Sequence, residues 1–253
     1  MKRKIVGYHL DDADDWVAEL ECQHGQHVRH KPPFTSRPWT QSENGRAAML
    51  GTTLDCKLCE IRITSPRLLL RAWKPSDYEE FAKLNADPQV MEFFPNVLNR
   101  EQSDALAERI DGEIKTRGWG FWALEELAGH ADNFLGFVGL SMSEDIGFGP
   151  CVEIGWRLSR SIWGKGYGSE AACAALSYGF STLHLDEVVS FTALENARSM
   201  KLMQRIGMTN THRNFQHPKL APGHRLQEHV LYTISKEQWS ELKGTQQGAR
   251  YVN

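Results

Sequence analysis

Two groups of residues in this chain have types and spacings suited to chemistry. The first is the run Trp163-Gly164-Lys165-Gly166-Tyr167-Gly168-Ser169-Glu170-Ala171. It follows the apolar, β-like segment Val152–Leu158 and precedes an alanine-rich helical pattern from Glu170 to Phe180. A strand, a glycine loop and a helix start together build an anion site. Glycines let the backbone approach a ligand, and the free N–H groups of the first helical turn point at its phosphates. The helix dipole adds to the attraction. The second group is Cys22, His24, Cys56 and Cys59. Cys56 and Cys59 enclose two residues, a knuckle that presents both sulfurs to one metal. Cys22 and His24 are two apart, so a strand puts both donors on one face. Three thiolates and one imidazole complete a tetrahedral zinc site. His27 or His30 can stand in for His24.

Length and composition fit ordinary globular domains: 253 residues, 41% hydrophobic, 24% charged. The net charge of −3 gives no electrostatic footprint for nucleic acid. The basic start Met1–Ile5 leads to Asp11, Asp12, Asp14 and Asp15 with no apolar stretch, so no signal peptide is expected. No apolar run approaches the length of a membrane span, so no membrane association is expected. Five cysteines is an odd count and reads as reducing cytoplasm.

The elements that must position these residues follow from periodicity and turn residues. Asn44-Gly45 and Gly51-Thr52 are loop signals, and a boundary is expected near Glu60. Residues 1–60 then form a small β-rich, zinc-binding module, since so short a segment buries little core and a structural metal helps it fold. Beyond it the expected order is strand 67–73, helix 76–85, short helix 87–92, helix 101–117, and strands 119–126, 134–143 and 151–158. Helix 167–181, strand 187–193, helix 197–206 and two last strands, 208–215 and 226–234, complete it. That order suits an α/β fold around one mixed sheet. Residues 61–236 form this domain, and 237–253 are expected to be a polar tail.

The glycine loop resembles that of the GNAT superfamily of acyl-CoA N-acyltransferases. There a strand leads into R/Q-x-x-G-x-G/A, whose amides hold the coenzyme pyrophosphate. Here the pattern reads Trp163-Gly164-Lys165-Gly166-Tyr167-Gly168, with Trp163 where Arg or Gln usually stands. The segment Glu195-Asn196-Ala197-Arg198-Ser199, ending at Arg205-Ile206-Gly207-Met208, is similar to the family's N-x-x-S segment on the far side of the coenzyme. The W-G-K-G-Y wording, Arg67–Trp73 and Asp87–Met91 resemble the ribosomal-protein N-acetyltransferase branch (RimJ/RimL type). Residues 1–60 resemble a small uncharacterised Cys/His domain with no known activity.

The resemblance implies acetyl-CoA as cosubstrate and a GNAT-type mixed sheet flanked by helices. It places Trp156, Arg157 and Leu158 beside the pantetheine arm and the loop from Trp163 to Ser169 at the phosphates. Asn196 and Ser199 lie opposite, although Asn196 can equally be a helix N-cap only. Acyl transfer to an amine needs a base. Glu153 is the candidate, because it alternates with the apolar Val152 and Ile154 on the strand that delivers the loop. The family's Tyr acid aligns with Met203, which leaves Ser199 or water. The cluster Met91-Glu92-Phe93-Phe94-Pro95 with Trp119, Phe121 and Trp122 is expected to border the acceptor pocket, Glu92, Phe93, Phe94 and Trp122 foremost, and Cys151 and Cys173 to pack in the core. His217, His224 and His229 are expected in loop or surface roles.

Three readings follow. One is an N-acetyltransferase acting on a primary amine of a small molecule or peptide by direct attack in a ternary complex, as monomer or homodimer. One is a protein or ribosomal-protein N-terminal acetyltransferase whose front module docks its protein partner. One is a non-catalytic acyl-CoA sensor.

Overall fold

The computed structural model describes residues 2–22, 24–32, 35–57, 62–128, 133–144 and 146–244. The chain divides into two compact units, Met1–Ile61 and Arg62–Asn253.

The first unit is a four-stranded antiparallel sheet in the order β3-β2-β1-β4. Its strands are β1 (Lys2–Leu10), β2 (Trp16–Leu20), β3 (Gly25–His27) and β4 (Thr53–Asp55). The β1–β2 turn is tied by Asp11, whose Oδ1 accepts from the amides of Ala13 and Asp15 at 2.9 Å. Helix α1 (Glu43–Met49) starts at Ser42, whose hydroxyl accepts from the Gly45 amide. The buried apolar set among the described residues is small: Ile5, Val17, Ala18, Leu20, Val28 and Cys56.

The second unit is built on a mixed sheet in the order β11-β13-β10-β9-β8-β7-β6-β5, with β12 paired to β13. In chain order the strands are β5 (Arg62–Thr64), β6 (Leu68–Arg71), β7 (Phe121–Glu126), β8 (Phe134–Ser143), β9 (Cys151–Leu158), β10 (Glu187–Ala193), β11 (Thr209–Asn210), β12 (Phe215–Gln216) and β13 (Glu228–Ser235). The helices are α2 (Asp77–Ala86), α3 (Arg100–Arg117), α4 (Tyr167–Ser181), α5 (Ala197–Arg205) and α6 (Lys236–Gly244).

Neighbouring side chains on a strand point to opposite faces. Phe121 of β7 packs on Phe137, which touches Phe81 of α2. Trp122, the next residue, packs edge-on against Tyr178 of α4. Helices therefore cover both faces of the sheet. Among the described residues no helix is long and apolar enough to cross a membrane.

Most strands come close to their expected bounds, and three departures stand out. Residues 87–92 are turns rather than a helix. Asp87 Oδ1 accepts from the Gln89 amide at 2.9 Å, a local turn that competes with helical bonding. Residues 236–244, expected to open a polar tail, form α6, and Trp239 buries its indole against Phe180. The strand expected over 208–215 is reduced to the two short pairs of β11 and β12.

The site is opened by a break in the sheet. The parallel strands β9 and β10 share one register pair, Val189 with Glu153. β9 pairs with β8 along its whole length, from Cys151 to Leu158. Its other edge therefore parts from β10 beyond Glu153, and Gly155 to Leu158 face a cleft.

Candidate active site

That cleft has a volume of about 660 Å³. Three segments floor it: Glu153–Leu158 of β9, Ser190–Thr192 of β10, and the loop at Trp163, Gly164, Gly166, Gly168 and Ser169. Helix α5 closes one side with Arg198, Ser199, Leu202 and Met203.

The loop has its shape because of its glycines. Gly164 and Gly166 have φ of 75° and 80°, the left-handed region that favours glycine. Gly166 caps α4 with no side-chain bond, so the first-turn amides keep their donors for a ligand. Gly168 sits where a Cβ would come within 2.8 Å of Leu202 Cδ1, so any larger residue would have to push the Leu202 side chain aside. Arg67 supports the loop from behind. Its Nη1 donates to the Lys165 carbonyl at 3.1 Å, and its Nε donates to Glu170 at 2.6 Å. Glu170, buried in the first turn of α4, also accepts from Ser65 Oγ and the Arg67 amide.

The cleft is cationic. Arg109, Arg157, Arg198, Lys201, Arg205 and Lys219 line it, while Glu153 is the one carboxylate among the described lining residues. Glu153 accepts from Ser143 Oγ at 2.6 Å. Withdrawal from water raises its pKa, and the Ser143 bond and the charge of Lys219 pull the other way.

Two histidines stand in the same wall. The His217 and His229 rings meet tilted by 49°, with centroids 4.8 Å apart, beside Phe191 and Phe215. Burial lowers both pKa values, that of His229 to about 4, so both rings are neutral at neutral pH. They were expected at loops or on the surface. Phe215 pairs with His229 across β12 and β13, which turns both rings inward. A two-residue strand carries no periodicity, so the sequence offered no signal for this. His224 does stay in a loop, its Nδ1 accepting from the Leu226 amide.

Around the coenzyme-side residues the bonds are specific. Trp156 Nε1 donates to Ser199 Oγ at 3.2 Å, and Asn196 Nδ2 donates to the same oxygen at 3.1 Å. Asn196 Oδ1 accepts from the Ser199 amide, so Asn196 caps α5 and lines the cleft at once. Trp163 Nε1 donates to the Leu158 carbonyl. Arg157 is buried, bonded to Asn85 Oδ1 at 2.5 Å and held 4.1 Å from the Phe94 ring. Burial lowers its pKa to about 10.

Several expected placements differ. The side chain of Lys165 is exposed and does not line the cleft. Tyr167 turns its hydroxyl to Glu126, so only its backbone belongs to the loop. Phe93 and Phe94 line the cleft, but Glu92 does not. It lies at the surface and pairs with Arg198 at 2.5 Å. Trp122 is 0% exposed, in the core under α4, whereas Phe121, expected beside it, does line the cleft. Burial lifts the thiol pKa of Cys151 to about 11 and of Cys173 to about 12, so neither is a ready nucleophile.

In the first unit Cys22, His24 and Cys56 place one ligand atom each within 4.8 Å of one another. Cys59 lies outside the described residues. His27 bonds Asp11 at 2.7 Å and His30 Nδ1 accepts from the Arg37 amide at 2.8 Å, and among the described residues the donors grouped with the two sulfurs include His24 and neither of these.

Residues 67–209 match the family described as an acetyltransferase (GNAT) domain, and residues 6–62 match one described as a protein of unknown function (DUF3565). The chain belongs to the GNAT family: it is an acyl-CoA-dependent N-acetyltransferase, with acetyl-CoA as cosubstrate. It is similar to the uncharacterized N-acetyltransferase YnaD of Bacillus subtilis, 27% identical over 71% of this chain and 100% of that one. A GNAT-family acetyltransferase from Bacillus anthracis shares the fold, with TM-score 0.59 and 24% identity over 70% of this chain and 99% of that one. Spermidine N-acetyltransferase from Vibrio cholerae, solved with CoA and spermine, also shares it. The TM-score is 0.53 and the identity 19%, over 68% of this chain and 98% of that one.

Proposed function

We propose that this enzyme acetylates a primary amine of a small molecule or peptide by direct attack in a ternary complex, with Glu153 as the general base. One observation carries the reading: Glu153 is the single carboxylate on the cleft among the described lining residues, where β9 leaves β10. The amine nitrogen bonds to the thioester carbonyl carbon as the carbon–sulfur bond breaks. Its proton passes to Glu153, directly or through one water. Withdrawal from water makes this carboxylate a better base than an exposed one. The leaving thiolate takes a proton from water or through the Ser199 hydroxyl on the coenzyme side, which solvent reprotonates, while Glu153 returns its proton to solvent. The raised thiol pKa values of Cys151 and Cys173 favour this single displacement over a cysteine-bound acyl intermediate.

The open edge of β9 is suited to the amide groups of an extended pantetheine arm, which would add to it as a further strand. The glycine loop and the start of α4 would take the pyrophosphate. Phe93, Phe94 and Phe121 would border the acceptor. We place the work in the reducing cytoplasm, in keeping with the odd cysteine count.

Coenzyme A release from a panel of polyamines, small amines, peptides and protein N-termini tests this. Turnover on small amines or peptides that collapses in Glu153→Gln is the expected result. Turnover on protein N-termini alone would move the enzyme to the ribosomal-protein branch, with the first unit as docking element. Acetyl-CoA binding with no turnover on any class would make it a sensor.

A further inference from the structure

The first unit holds a cluster of donors that acetyl transfer does not use. Cys22 follows the end of β2, His24 leads into β3, and Cys56 follows the end of β4. Cys22 and His24 are two residues apart, whereas Cys56 lies 32 residues beyond His24. The sheet order β3-β2-β1-β4 brings them together, because β2 and β4 flank β1 and both end beside its start. Leu20 is in register with Ile5, and Asp55 with Lys2.

We infer that Cys22, His24 and Cys56 bind a zinc ion that fastens this sheet. Cys56 Sγ lies 3.5 Å from His24 Nδ1. Zinc bonds of about 2.3 Å to sulfur and 2.0–2.1 Å to nitrogen, at a tetrahedral angle, set the sulfur–nitrogen edge at about 3.5 Å. All three donor atoms lie within 4.8 Å of one another, so a small contraction brings every pair onto such an edge. His24 and Cys56 are 6% and 1% exposed, so the ion would be shielded from water. Thiolate and imidazole together select zinc over the hard cations that prefer oxygen. The unit also needs a fastening. Six buried apolar residues among the described ones are a thin core for a unit of about sixty, the size at which metals commonly supply folding free energy.

The test uses the full chain purified without chelator. Elemental analysis is expected to find about one zinc per chain, kept in His27→Ala and His30→Ala and lost in Cys22→Ser with Cys56→Ser. The wild type should resist proteolysis in residues 1–60 until a chelator strips it, and zinc should restore the resistance. Chelator-stripped wild type loaded with cobalt(II) should show thiolate-to-cobalt charge-transfer bands, a readout that needs no variant to fold. A zinc-free wild type that takes up neither zinc nor cobalt would overturn the inference. So would full zinc content in the double cysteine variant, or cobalt spectra without thiolate bands.

Discussion

Ser143 donates to Glu153 across two strands that lie side by side, at 2.6 Å from Oγ to Oε2. Ser141, not Ser143, is in register with Glu153, so the bond runs diagonally along β8 and β9. It reaches the carboxylate on its charged form and therefore holds the pKa down against the effect of burial. Ser143→Ala removes that restraint. The acidic limb of kcat/KM should move to higher pH, with the rate well above that limb little changed. The profile of a fast-turning amine measured from acid to mild alkali checks this. An unmoved limb would show that Glu153 does not set it.

Glu153→Gln keeps the shape and removes the proton acceptor. Turnover should drop about 10²–10⁴-fold, the usual contribution of a general base. Because only the ionised carboxyl works, activity in the wild type should rise with pH through the raised Glu153 pKa. That acidic limb should vanish in the variant. Acetyl-CoA affinity, read by calorimetry, should hold.

Gly166→Asp places a negative charge at the start of α4. A Cβ there meets only Arg67 Nη2, at 3.5 Å, so there is room for it. Aspartate also tolerates the left-handed backbone better than most residues. The fold should survive. Like-charge juxtaposition costs several kcal/mol, which predicts acetyl-CoA binding weaker by about 100-fold or more. Gly166→Asn keeps the shape without the charge and should keep most of the affinity. Calorimetry on both variants, with circular dichroism as the control for folding, separates charge from backbone.

Asp77→Ala should destabilise the second unit. Arg71 is 6% exposed and Asp77 1% exposed, and they meet through two bonds of 2.7 and 2.8 Å. Arg71 Nε also donates to Glu125 at 2.6 Å, and the Lys74 amide donates to Asp77. Removing one partner of a buried pair strands the other charge, at about 3–5 kcal/mol. Urea unfolding should show the loss as a lower midpoint. A midpoint close to wild type would mean that water or Glu125 takes over the guanidinium.

The locations of the glycine loop and of Glu153 were legible because they depend on chain-local facts. Gly164 and Gly166 need positive φ, and alternation along one strand puts Glu153 opposite Ile154. The acceptor end was not legible. There a single step in register decides which aromatic lines the cleft, and it chose Phe121 over Trp122. Glu92 was drawn to the rim by Arg198, a partner 106 residues away that no local pattern announces. His217 and His229 entered the wall through a strand pair too short to show a period. Helix α6 was hidden by its polar composition and is anchored by Trp239. The Cys/His grouping was visible as spacing, whereas that His24 lies beside the two sulfurs needed the folded sheet.

Ser199 receives two donors, the indole of Trp156 and the amide of Asn196. A hydroxyl has two lone pairs and one hydrogen. With both pairs engaged, the hydrogen is the group's only remaining valence. The oxygen is thereby polarised toward giving a proton rather than receiving one. Ser199 precedes Met203 by four residues, so it stands one turn earlier on the same face of α5. The helix that carries a thioether at 203 thus keeps a primed donor one turn upstream.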